Sequence, residues 1–120
     1  MPKQILICDD QPNIRESYKL IFEKEYELVF ADNGHHALLW LQEGNKPDLV
    51  IMDIKMPKMD GLTALKEFKK LQPGLPVLVV SGYDSVETAT AAVQSGACDY
   101  IVKPFNPEQV IRSAQKALGE

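Results

Sequence analysis

Five short apolar runs, at residues 5–8, 28–30, 49–52, 77–80 and 100–102, recur along the chain with longer stretches of helical periodicity between them. The runs are rich in Ile and Val, and several lack polar alternation. A strand that is apolar on successive residues is covered on both faces, as in a parallel sheet flanked by helices. From residue 13 to 24, Ile14, Tyr18 and Ile21 share a helical face, and Pro12 suits a first turn. From 34 to 43 the stripe is Ala37, Leu38 and Leu41, and Gly44 offers a stop. From 62 to 71 it is Leu62, Leu65, Phe68 and Leu71, with Lys66, Glu67, Lys69 and Lys70 on the other side. A fourth helix opens at Asp84-Ser85-Val86-Glu87 with capping-box spacing and ends near Gly96. The fifth opens at Asn106-Pro107-Glu108-Gln109 and runs through Val110, Ile111, Ala114 and Leu118.

Strict alternation of five strands and five helices predicts one doubly wound α/β domain over residues 1–120, flavodoxin-like. Crossovers between parallel strands are right-handed. The common five-stranded order, 2-1-3-4-5, opens a crevice at the carboxyl ends of strands 1 and 3. The 120-residue length suits one core, and 45% hydrophobic with 25% charged residues is a globular rather than a disordered composition. A formal charge of −4 argues against direct nucleic-acid binding, which needs concentrated Lys and Arg. No apolar run nears the ~20 residues of a membrane span, and no apolar leader follows Met1. The expected setting is therefore the cytoplasm, with no membrane partner and no output domain after Leu118. Cys8 and Cys98 have no ligand or Cys-x-x-Cys spacing and read as reduced thiols, Cys8 in the core.

The chemistry lies at the residues just past each run. Asp9 and Asp10 come after the first, Asp53 after the third, Ser81 and Gly82 after the fourth, and Lys103 after the fifth. In the order 2-1-3-4-5, strands 1, 3, 4 and 5 are neighbours at ~4.8 Å, so the row from Asp9 to Lys103 spans about 15 Å. A long lysine at one end can lean back over the centre, where Asp53 lies. Three clustered carboxylates repel unless a proton is retained or a cation compensates. Mg²⁺ fits, being hard and oxygen-seeking, with Mn²⁺ as a substitute. The row holds neither His nor thiol, which disfavours zinc. A central carboxylate can accept a phosphoryl group, which makes Asp53 the candidate acceptor and Asp9 and Asp10 the metal holders. Lys103 then neutralises charge in a loose transition state. Pro104 restricts the residue before it: either a cis bond that aims Lys103 at the pocket or an ordinary strand terminator fits.

The chain resembles the receiver (response regulator) domain of two-component signalling over essentially its whole length. The resemblance rests on Ile5-Leu6-Ile7-Cys8-Asp9-Asp10, Asp48-Leu49-Val50-Ile51-Met52-Asp53, Met56-Pro57-x-Met59-Asp60-Gly61, Val80-Ser81-Gly82 and Gly96-Ala97-x-Asp99-Tyr100-Ile101-Val102-Lys103-Pro104-Phe105. It implies that a sensor histidine kinase or phosphotransfer protein phosphorylates Asp53. It implies Mg²⁺ held by Asp10, Asp53 and the Lys55 backbone carbonyl, with Asp9 acting partly through water. It implies that Ser81 bonds the phosphoryl group, that Lys103 pairs with it, and that Tyr100 is an aromatic switch. The face made by the fourth and fifth helices and the fifth strand would then control an output domain or partner, and phosphorylation-dependent homodimers are a further implied outcome. Ser81 stands where Thr is also common, and either supplies the hydroxyl. The resemblance also implies that Lys55 and Tyr83 tune how fast water reaches the acyl phosphate.

Other features have plainer readings. Adjacent His35 and His36 do not face one another on a helix and read as a solvated helix start. Trp40 packs on the sheet or is partly exposed. Met52, Met56 and Met59 serve packing and loop shape, since Mg²⁺ avoids thioether. Lys66, Lys69 and Lys70 form a solvated face, and Gly82-Tyr83-Asp84 a flexible loop over the pocket. The competing function is a Mg²⁺-dependent phosphohydrolase with an aspartyl nucleophile. Such enzymes usually place a second acid two residues later, where this chain has Lys55. A flavin or mononucleotide carrier lacks support, because no Gly-rich loop comes after the first strand.

Overall fold

The computed structural model describes residues 2–55 and 59–120. In chain order the elements are β1 (Gln4–Cys8), α1 (Pro12–Phe22), β2 (Glu27–Ala31), α2 (Gly34–Gln42), β3 (Leu49–Met52), α3 (Gly61–Leu71), β4 (Val77–Ser81), α4 (Val86–Gln94), β5 (Asp99–Val102) and α5 (Pro107–Ala117). All pairings are parallel, as the alternation predicts, and the sheet order is β2-β1-β3-β4-β5, the common order of five-stranded doubly wound domains. None of the helices described is long and apolar enough to cross a membrane.

Successive strand residues face opposite sides, and two apolar layers result. Leu6, Cys8, Val50, Met52, Val77 and Val79 pack with Ala37, Leu41, Leu65 and Phe68 of α2 and α3. Ile5, Ile7, Leu49, Ile51, Leu78 and Val80 pack with Tyr18 and Phe22 of α1 and Val110 and Ala114 of α5. This double burial is why the strands read as continuous apolar runs. Trp40 is partly buried against the first layer, as are Leu62 and Met59. Met56, and with it part of the motif before α3, lies outside the described residues.

Three local expectations shift. Leu71, read as part of the α3 stripe, is 44% exposed. Nine residues at about 100° each put it half a turn from Leu62, so a strict three-residue spacing cannot hold one face. The α4 cap is Ser85, not Asp84: its Oγ accepts from the Thr88 amide at 3.1 Å. That serine is the residue whose hydroxyl reaches the third amide of the helix. Finally, α1 begins at Pro12 and stops at Phe22, two residues short of the expected end. Phe22, absent from the predicted stripe, is only 2% exposed.

Beyond β3 the chain must pass very close to the start of α3. A Cβ on Gly61 would lie 2.2 Å from the Ile54 Cα, so only glycine permits this approach. The segment that carries Asp53 is thereby backed by α3.

Candidate functional site: an acidic cluster bridged by lysine

The sheet ladder continues one step past the strands and levels the site residues. The Asp9 amide donates to the Ala31 carbonyl at 3.1 Å, and the Asp53 amide to the Cys8 carbonyl at 3.0 Å. The Lys103 amide donates to the Ser81 carbonyl at 2.8 Å. Asp9, Asp53, Ser81 and Lys103 thus emerge side by side at the carboxyl edge, as strand order requires.

Asp9, Asp10 and Asp53 each offer a carboxylate oxygen within 4.8 Å of the others. Asp9 and Asp53 are buried, whereas Asp10 is exposed. Lys103 leans across the row. Its Nζ lies 2.7 Å from Asp9 Oδ2, 2.8 Å from Asp53 Oδ2 and 3.1 Å from Gln11 Oε1. The remaining oxygens are held by backbone: Asp9 Oδ1 accepts from the Gln11 amide at 2.9 Å, and Asp53 Oδ1 from the Lys55 amide at 2.8 Å. The repulsion expected among the acids is therefore answered at two of them by the protein's own ammonium. The Lys103-Pro104 bond is cis, the first of the two alternatives that the sequence leaves open.

Burial pushes the Asp9 carboxyl above its ordinary range, and the hydrogen bonds from Lys103 and the Gln11 amide only partly offset it. For Lys103 burial pulls the ammonium down, but its bonds to Asp53 and Asp9 outweigh that, and the net direction is up. The Lys103 shift reflects a cation held by two carboxylates, whereas the Asp9 shift reflects a desolvation cost that this pairing does not fully offset. Burial, followed by the charge of Asp9, raises the Cys8 thiol far above neutrality, so Cys8 stays protonated core filling.

Ser81 is buried. Its Oγ accepts from the Tyr83 amide at 3.5 Å. Tyr100 donates its hydroxyl to the Tyr83 carbonyl at 2.7 Å. The hydroxyl is thus tied to the loop after β4. Lys55 is exposed, and its Nζ lies 5.5 Å from the centre of the Tyr83 ring. A cleft of about 590 Å³ opens over the cluster, lined by Asp10, Gln11, Asp53, Lys55, Gly82 and Lys103.

Two contributors escaped the sequence reading. Gln11 bonds Lys103 through its side chain and Asp9 through its amide. Arg15 donates to the Asp9 carbonyl at 2.7 Å and anchors its backbone. The available signal was position alone: both lie within six residues of Asp9, at the start of the helix it feeds. His35 and His36 stand apart from the cluster. His36 pairs with Asp32 at 2.6 Å on an exposed helix start.

The family described as the response regulator receiver domain matches residues 5–115. Chemotaxis protein CheY of Bacillus subtilis is 41% identical over 121 residues, which cover 99% of this chain and 100% of that one. Regulatory protein AtoC of Escherichia coli is 40% identical over 116 residues. That match takes in 96% of this chain but 25% of AtoC, so the chain spans about a quarter of that relative's length. Among solved structures, a CheY-like receiver domain protein from Methanospirillum hungatei superposes with a TM-score of 0.92 at 35% identity, over 99% of this chain and 95% of the other. Sequence motifs, sheet order and near-complete structural overlap agree, and the chain belongs to the response regulator receiver domain family of two-component signalling.

Proposed function

We propose that residues 1–120 form one receiver unit whose Asp53 accepts a phosphoryl group from a sensor histidine kinase or phosphotransfer protein. The observation that carries this reading is the meeting of Asp9, Asp10 and Asp53 within 4.8 Å beneath an open cleft, with Lys103 across two of them. Asp53 is central, and the Lys55 amide and Lys103 fix both of its oxygens.

An all-oxygen donor set of three acids fits a hard divalent cation. Asp9, Asp10 and Asp53 would hold Mg²⁺, or Mn²⁺ in its place, together with the Lys55 backbone carbonyl. When bound, the ion supplies positive charge against the phosphoryl oxygens. The chain's own groups do the rest. An Asp53 oxygen attacks phosphorus, and the new O–P bond forms as the P–N bond of a donor phosphohistidine breaks. The electron pair leaves with the imidazole nitrogen. Lys103 donates to the transferring phosphoryl group, and Ser81 turns its hydroxyl toward it once it is attached. A phosphoryl group adds up to about two negative charges, enough to recruit a nearby hydroxyl and ammonium.

Ser81, the Tyr83 backbone and Tyr100 form the route outward, since the Tyr83 amide meets Ser81 Oγ and its carbonyl meets the Tyr100 hydroxyl. Moving Ser81 toward the phosphoryl group would loosen Tyr100 and remodel the α4-β5-α5 face. Val86, Val93 and Val102 are 78%, 55% and 40% exposed there, an apolar surface suited to an output domain, a partner protein or a second copy. The chain turns over no metabolite on this reading and catalyses only its own phosphorylation and dephosphorylation, in the cytoplasm. The −4 charge favours protein partners over direct nucleic-acid contact.

Intact-mass measurement tests the reading. Acetyl phosphate with Mg²⁺ should add one phosphoryl group to the wild type and none to Asp53→Asn. Equal labelling of both would remove Asp53 from its role.

A further inference from the structure

We infer that Gln11 is a positioning residue for phosphoryl transfer, whose side-chain carbonyl aims the Lys103 ammonium. The inference rests on the reading of Asp53 as phosphoacceptor. An ammonium has three N–H donors. Lys103 meets three acceptors, Asp9 Oδ2 at 2.7 Å, Asp53 Oδ2 at 2.8 Å and Gln11 Oε1 at 3.1 Å. Two are buried carboxylates on the floor of the site. The third is neutral, belongs to an exposed residue and lines the cleft mouth.

That asymmetry matters once Asp53 is esterified. Its carboxylate charge passes outward to the phosphoryl oxygens, and its hold on Lys103 weakens. A flexible four-carbon side chain, left with Asp9 alone, would swing toward the deepest carboxylate. Gln11 pulls from the mouth side and keeps the ammonium facing the incoming group.

The backbone of Gln11 is fixed independently of its side chain. Its amide donates to Asp9 Oδ1 at 2.9 Å, and its carbonyl accepts from the Ile14 and Arg15 amides, both at 3.1 Å. As the cap residue of α1 it makes no side-chain capping bond. Substituting the side chain therefore removes the lysine contact without removing a helix cap.

Asp53 labelling by acetyl phosphate at saturating Mg²⁺, timed by intact mass, tests this in wild type, Gln11→Leu, Lys103→Met and the double variant. Gln11→Leu should slow labelling roughly fivefold, the scale of one hydrogen bond. In the Lys103→Met background it should change nothing, because the two residues act as a unit. A wild-type rate in Gln11→Leu, or a further fivefold fall in the double variant, overturns the inference. Should Lys103→Met label too slowly to time, the ammonium ¹H–¹⁵N signal missing from Lys103→Met decides. It should broaden in Gln11→Leu, and an unchanged signal overturns the inference. No labelling of the wild type would instead defeat the phosphoacceptor reading, which keeps the two failures distinct.

Discussion

The two ends of the sheet carry similar residues in opposite circumstances. At the carboxyl end, Lys103 bridges Asp9 and Asp53, with the lysine side chain 11% exposed and the acids 2% and 6%. At the amino end, Lys3 pairs with Glu120 at 3.5 Å, with side chains 41% and 37% exposed. Lys3 also donates to the Leu118 carbonyl at 2.7 Å, and Tyr26 donates its hydroxyl to Glu120 at 2.5 Å. Each end thus has a lysine, acid and a nearby tyrosine. The exposed pair is screened by water and fastens α5 to β1. The buried pair is not screened, so removing one partner leaves charge with no solvent to take it. Chemistry concentrates where compensation is obligatory.

Removing Lys103 should break this contrast most sharply. Lys103→Met leaves Asp9 and Asp53 buried without their ammonium. We expect a loss of about 3 kcal/mol in the metal-free protein and labelling of Asp53 slowed by about a hundredfold or more. Urea denaturation with chelator present measures the first, and intact mass the second. Mg²⁺ should restore part of the stability, because it binds the folded cluster preferentially. The pH dependence has a definite sign. Lys103 is raised above its ordinary 10.5 by its carboxylate partners, although burial opposes them. Its stabilising contribution is fully present below 10.5 and is lost as pH climbs through the folded value. The wild-type advantage over Lys103→Met should therefore shrink in strong alkali. An advantage that grew there would contradict the pairing. Asp9 behaves likewise from a lower starting point. Burial raises it above 3.8, so its contribution is greatest below 3.8 and declines as pH rises through its folded value.

Asp10 sharpens the comparison within one end. It adjoins Asp9 in sequence and shares the cluster, yet it is exposed. Asp10→Asn should alter metal-free stability by less than about 0.5 kcal/mol, as for an ordinary surface substitution. It should nevertheless abolish most of the rise in Tm that millimolar Mg²⁺ gives the wild type. Thermal melts with and without chelator report both. A retained Mg²⁺ shift would place the ion on other groups.

This division between burial and role bears on what the chain alone reveals. Strand positions follow from apolar runs that end in polar residues, and the level meeting of Asp9, Asp53, Ser81 and Lys103 follows once the common 2-1-3-4-5 order of the fold class is adopted. Periodicity and strand order suffice for that. Leu71 misled because a three-residue repeat drifts off a 3.6-residue helix. The cap at Ser85 rather than Asp84 depends on which oxygen reaches an amide, a matter of one residue of register. Gln11 was invisible for another reason. Its role arises from a side chain reaching 92 residues along the sequence to Lys103, and polarity beside a proline is not distinctive. Likewise, the identity of the compensating cation in the metal-free cluster depends on where Lys103 lies, which composition cannot specify.

The smallest effect on the site belongs to the amino end. Lys3→Met removes the ion pair with Glu120 and the bond to the Leu118 carbonyl, but water reaches both groups. The expected cost is about 0.5 kcal/mol, the scale of an exposed pair, and it should fall further as salt is raised. Labelling at Asp53 should keep its wild-type rate, since Lys3 lies at the opposite edge of β1 from Asp9. Denaturation midpoints at low and high salt, with labelling rates alongside, measure both expectations. A loss comparable to that of Lys103→Met would mean that exposure does not decide the weight of these two lysines, and the contrast between the sheet ends would lose its physical basis.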